Sequence, residues 1–169
     1  MGRILLLDTS GSMVTPVGSR QRIDVLADIL AAVFPAFPDT RLFGFGSTTT
    51  ELVDAVTEHG INLPEPAGST ALHLALEAMM PLKPNPLVII SDGEPDDAHA
   101  AIAQARLLGC VITTYYVGDE SDSAATVFLR DLSLCSRGGV GRASRGDLLK
   151  PKQLAADIRL RLTGPARWA

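Results

Sequence analysis

Cysteine is scarce in this chain. Only Cys110 and Cys135 occur, the first opening an apolar run and the second lying in a helical stretch. That pattern excludes a disulfide framework and a CxxC metal or redox pair, and it fits a reducing compartment in which both act as small buried hydrophobes. Long apolar runs are lacking as well. Ile4 to Leu7 is the one near the N-terminus, shorter than a signal-peptide core and far shorter than the ~20 residues of a membrane span. Met1-Gly2 is followed by Leu6, where N-myristoylation asks for Ser or Thr. A cytoplasmic protein without membrane contact is expected. An excess of positive charge is also missing. The net charge is −4, which argues against nucleic acid as a partner. Basic residues do outnumber acidic ones from Arg130 onward, as a solvated helix face would have it.

Several signatures of catalysis are absent too. There is no GxSxG elbow and no GxxxxGK(S/T) phosphate loop. The pairs Gly44-Phe-Gly46 and Gly139-Val-Gly141 lack the spacing of a dinucleotide fingerprint and read as turns. His59, His73 and His99 are scattered over separate elements, which favours surface or core-satisfying roles over a zinc site. No internal repeat or low-complexity segment is found.

What is present is a chain of 169 residues, 46% of them hydrophobic, enough to bury a sizeable core in a single domain, 1–169. Ile4–Leu7 and Leu87–Ile90 are continuous apolar runs, the pattern of strands buried on both faces. Ile23, Leu26, Leu30 and Val33 recur at helical spacing before Pro35 and Pro38. Strands are expected over Arg41–Phe45, at a short edge over Thr48–Val53 and over Val111–Val117, with a glycine-rich turn and a last short strand within Gly138–Ala143. Helices are expected over Ala71–Met80, Ala98–Leu108, Ala124–Leu134 and Leu148–Leu162, with Asp96 or Asp97 capping the second of these and Gly109 ending it. Alternating strands and helices predict an α/β fold, a doubly wound parallel sheet with helices on both faces.

Two carboxylates, Asp8 and Asp92, each follow a buried strand, and in an open parallel sheet such positions share the edge where ligands bind. From Asp8 the chain runs Asp-Thr-Ser-Gly-Ser, so Ser10 and Ser12 follow at a spacing of two, with Gly11 freeing the turn. Thr70, at the head of its helix, can add a further oxygen. These are hard ligands suited to Mg²⁺, with Mn²⁺ and Ca²⁺ as alternatives. Two carboxylates only neutralise a divalent ion, so an anionic oxygen from a partner would complete the shell.

The segments Asp8-Thr-Ser-Gly-Ser12, Gly68-Ser-Thr70 and Ser91-Asp-Gly-Glu94 resemble the metal-ion-dependent adhesion site of von Willebrand factor type A domains, in order and in spacing, which implies that family's Rossmann-like, doubly wound and mostly parallel sheet with one short antiparallel edge strand. The resemblance implies that Ser10, Ser12 and Thr70 contact the metal, with Asp8 and Asp92 direct or through water. It implies a non-enzymatic adaptor that binds a protein partner presenting Asp or Glu, in a bacterial ATPase-linked, stress-response or phage-related assembly. In some members of that family the last helix, here Leu148–Leu162, shifts as coordination changes.

The rival of a different class is a haloacid-dehalogenase-like Mg²⁺ phosphatase with Asp8 as nucleophile. That chemistry wants a second Asp two residues on, and the position holds Ser10. Around the cleft, Met13, Gly68, Ser69, His73 and Glu94 are candidates for a partner-binding rim, Met13 with Val14 and Pro16 as an apolar lip. Glu94, Asp96 and Asp97 also have a simpler role in capping and in compensating the helix dipole.

Overall fold

Strand β1, Ile4–Asp8, is buried at every residue because it lies at the middle of a sheet covered on both sides. The computed structural model describes residues 2–118, 122–135 and 151–163. After β1 a short 3₁₀ turn, Gly11–Val14, leads to a small hairpin, β2 Pro16–Val17 and β3 Arg20–Gln21. Helix α1, Arg22–Val33, follows. The chain then forms β4 Arg41–Phe45, β5 Thr49–Glu51, a second hairpin of β6 Val56–Thr57 and β7 Gly60–Ile61, and α2 Leu72–Met79. Next come β8 Leu87–Ser91, α3 Ala98–Leu108, β9 Ile112–Tyr116, α4 Ser123–Leu134 and α5 Pro151–Leu162.

The main sheet has five strands in the order β5-β4-β1-β8-β9. All neighbours are parallel except β5, which runs antiparallel on β4 at the edge. Strand side chains alternate between the faces, and the two cores follow that alternation. Leu5, Leu7, Val88, Ile90, Tyr115 and Val117 pack under α1 and α5. Ile4, Leu6, Phe43, Phe45, Ile89 and Tyr116 pack under α2, α3 and α4.

The differences from the sequence reading are local. Both two-residue hairpins lie where the sequence suggested no regular element, since pairs this short carry no periodic signal. The edge strand is trimmed to Thr49–Glu51 and α2 starts one residue later than expected. Met80 enters a 3₁₀ turn, Met80–Leu82, with Pro81 inside it, a residue that cannot donate to an α-helical ladder. Asp97, not Asp96, caps α3, its carboxylate accepting from the Ala100 N–H at 2.8 Å. The turn and strand expected within Gly138–Ala143, and the start of the last helix at residues 148–150, lie outside the described residues.

From β1 the chain crosses to β4 on one side, while β8 lies on the other. The direction of winding reverses there, which opens a crevice at the carboxyl ends of β1 and β8. Gly93, just past β8, is tightly packed at this edge: it has φ +75°, and a Cβ there would stand 2.8 Å from the Ala125 Cβ and 2.9 Å from the Ala125 carbonyl oxygen on α4. Gly109 has φ +63° with open space around it. Gly109→Ala is therefore expected to cost about 1–2 kcal/mol from backbone conformation alone, and Gly93→Ala about 2–5 kcal/mol because α4 must also move. Urea unfolding of the two variants checks the difference, and equal costs would contradict the packing argument.

Candidate metal centre

Asp8 ends β1 with its side chain fully buried. The Asp-x-Ser sequence turns back on itself, so the Ser10 N–H and hydroxyl both donate to Asp8 Oδ1, at 2.9 and 2.6 Å. The other oxygen, Oδ2, accepts from the Ser91 hydroxyl at 2.6 Å. Ser91 is the last residue of β8 and takes a hydrogen bond from the Gly93 N–H at 3.0 Å. A single buried carboxylate thus ties the ends of the two central strands to the serine loop.

Ser10 is fully buried and Ser12 half-buried, with their hydroxyl oxygens 3.1 Å apart. Adjacent ligands of an octahedral ion with bonds of 2.0–2.1 Å stand ~3 Å apart, so this spacing suits a hard cation. Thr70 reaches the same edge from another loop. The Gly11 N–H donates to the Gly68 carbonyl at 3.0 Å, and the Ala67 N–H to the Thr9 carbonyl at 3.0 Å. Gly11 is not in the left-handed region. Glycine serves here by close approach, since a Cβ would come within 3.3 Å of the Gly68 carbonyl oxygen.

Thr70 is further held by a reciprocal pair of hydrogen bonds. Its N–H donates to Asp96 Oδ1 at 2.9 Å, and the Asp96 N–H donates back to the Thr70 carbonyl at 3.0 Å. Asp92 is fully buried beside this group, and the Arg22 guanidinium donates to its Oδ2 at 2.8 Å. The Glu94 N–H approaches Asp92 Oδ1 at 3.4 Å. Among the described residues no three His, Cys, Asp or Glu side chains gather. A cation at this edge would therefore be held by two carboxylates and by hydroxyls, a donor set that fits Mg²⁺ or Mn²⁺ and not a soft metal.

The structure brings Asp8, Ser10 and Ser12 into direct hydrogen-bonded contact and sets Thr70 and Asp92 on the adjoining loops. The rim expected from the sequence is only partly realised. Met13 is fully buried in the core under α1, which corrects its assignment as an exposed lip, because the 3₁₀ turn folds its side chain inward. Val14 is exposed instead, as are Gly68, Ser69 and Glu94, whereas His73 is half-buried. Arg22 and Ser91 were not singled out as site residues, and Asp96 was read mainly as a helix cap and not as the residue that holds Thr70. Ser91 and Asp96 flank Asp92 and carried a weak signal. Arg22 carried none, since it comes from α1 and meets Asp92 only across the fold.

No protein-family model matches the chain, and no curated protein matches it in sequence. Solved structures do resemble it. An aerotolerance-related membrane protein from Bacteroides fragilis, bearing multiple mutations to serines, aligns with a TM-score of 0.69 at 13% identity, over 96% of this chain and 98% of that one. The manganese-loaded Plasmodium vivax TRAP protein aligns at 0.64 and 17% identity, over 95% of this chain and 73% of that one. Proximal thread matrix protein 1 of the mussel byssus aligns at 0.67 and 16% identity, with 95% of this chain matched and 46% of that one. At such identities the likeness is one of fold, and the fold is that of von Willebrand factor type A domains. Among the described residues, no helix is long and apolar enough to cross a membrane.

Burial first, and then the neighbouring charge of Asp92, push the Asp8 carboxyl up from 3.8 to about 6, against the hydrogen bonds from Ser10 and Ser91. The folded protein without a cation therefore holds a proton at Asp8 more tightly than the unfolded chain does. Stability from this group is present below the unfolded value and falls as pH rises from 3.8 to about 6. Asp8→Asn should accordingly be more stable than the wild type in EDTA at neutral pH, on the order of 2 kcal/mol, with the difference vanishing near pH ~4. Thermal melts across that range check it, and a gap that stays constant with pH would contradict it.

Proposed function

We propose that this chain is a non-enzymatic, divalent-cation-dependent protein-binding domain. Asp8, Ser10, Ser12, Thr70 and Asp92 hold Mg²⁺ or Mn²⁺ at the carboxyl edge of the sheet, and the site grips an acidic side chain of a partner. The observation that carries this reading is the arrangement around Asp8. Two serine hydroxyls lie one octahedral edge apart beside a buried carboxylate, and Thr70 is pinned to the same crevice through Gly68 and Asp96. The manganese-loaded neighbour of like fold supports a divalent cation.

A bound cation supplies a coordination position for a carboxylate oxygen. The residues of the chain do the rest. Asp8 orients the Ser10 hydroxyl, Gly11 and Gly68 fix the spacing of the two loops, and exposed Gly68, Ser69 and Glu94 form the rim that meets the partner. The domain acts as an adaptor within a bacterial multiprotein system, and 1–169 forms one unit, as the alignment over 96% of the chain supports. The phosphatase alternative is disfavoured because Ser10 stands where that chemistry wants a second Asp, and because Asp8 is fully buried with hydroxyl donors on both of its oxygens, a poor setting for a nucleophile.

Calorimetric titration of Mg²⁺ and Mn²⁺ into the wild type should give saturable binding that Asp8→Ala and Thr70→Ala abolish or weaken by roughly tenfold or more, at least what the loss of a partner around a metal's own ligands costs. Circular dichroism should remain native, because the site lies at the edge of the sheet. Turnover of p-nitrophenyl phosphate with Mg²⁺, abolished by Asp8→Asn, would establish the phosphatase instead.

A further inference from the structure

Arg22 is the first residue of α1 and is nearly buried, and its Nη1 lies 2.8 Å from Oδ2 of a fully buried Asp92. Its placement is locally unfavourable in three ways. A cation at a helix N-terminus opposes the helix dipole. A charged group is taken out of water. Its Nε is buried without a hydrogen-bond partner, which adds a desolvation cost. The capping of α1 does not use it, since Gln21 and Asp24 form the reciprocal capping box. Asp92 is what compensates these costs.

Arg22 also changes the charge of the crevice. Among the described residues the buried ionisable groups there are Asp8, Asp92 and Arg22, two negative charges and one positive when all are ionised, so their net charge is −1 and not the −2 that a divalent ion would match. An ion bound by this set leaves the site positive. We propose that Arg22 is an internal counter-cation that weakens cation binding to the unliganded domain and makes occupancy depend on an anion from outside. This inference rests on the cation-site reading above. It deepens that reading by making metal and partner carboxylate bind as a coupled pair: each raises the affinity of the other because together they restore neutrality in a site shielded from water. An empty domain then holds little metal, and a metal-loaded domain is selective for carboxylates over neutral groups. Arg22 is a positioning and charge-setting residue and not a ligand.

The test is Mn²⁺ titration by calorimetry on the wild type, Arg22→Gln and Arg22→Lys, with acetate as the carboxylate probe and chloride at matched ionic strength as the control. Arg22→Gln should bind Mn²⁺ roughly tenfold or more tightly than the wild type in chloride, whereas Arg22→Lys, which keeps the charge, should stay near the wild type. Acetate should raise the Mn²⁺ affinity of the wild type by a larger factor than that of Arg22→Gln. Saturable binding that is equal in the wild type and a folded Arg22→Gln would mean a purely structural ion pair, overturning the role of Arg22 while leaving the cation site standing. Binding by none of the three proteins, with or without acetate, would overturn the cation site and this inference together. If Arg22→Gln does not fold, the wild type decides alone: Mn²⁺ affinity indifferent to acetate overturns the coupling.

Discussion

The structure of the crevice depends on one buried carboxylate. Asp8 sits at the end of the central strand with no exposed surface, a position that penalises its charge. The penalty is offset in part by hydrogen bonds from the Ser10 N–H, the Ser10 hydroxyl and the Ser91 hydroxyl. Those bonds cross the one place in the sheet where winding reverses, so the same contacts that satisfy the acid hold the serine loop against the end of β8. Removing water from Asp8 and arranging oxygens around it are one structural event.

The other segments are joined to this centre by polar contacts, one between backbones, one from backbone to side chain and one between side chains. The loop before α2 is tied to the serine loop through Gly11 and Gly68, where a Cβ on Gly11 would crowd the Gly68 carbonyl oxygen at 3.3 Å. The loop after β8 holds Thr70 through Asp96. The start of α1 reaches Asp92 through Arg22. These contacts are short, local and at the rim of the sheet, while the apolar packing that stabilises the domain lies beneath, in cores on the two sheet faces. That separation allows the chemistry of the edge to vary without loss of the fold, and it is consistent with a shared architecture at identities of 13–17%.

Much of this was legible in the residues themselves. Continuous apolar runs at Ile4–Leu7 and Leu87–Ile90 require burial on both faces, which a parallel sheet between helices provides. The turn chemistry of Asp-Thr-Ser-Gly-Ser is local, so the approach of Ser10 and Ser12 to Asp8 followed from spacing alone. The edge strand was readable in its β-branched residues, although its direction and its length were not. Each two-residue hairpin was invisible because a pair that short has no periodicity to read.

By itself, then, the sequence determined the alternation of elements, the fold class and the identity of the oxygen-bearing residues, because these rest on periodicity, local turns and residue type. Tertiary structure alone decided that Met13 points into the core, that Asp96 clasps Thr70 while Asp97 caps α3, and that Arg22 reaches Asp92. Those outcomes depend on which segments the sheet order places side by side. Residues 22 and 92 lie on different elements, and nothing in either neighbourhood records that their charges meet until the winding of the sheet brings them together.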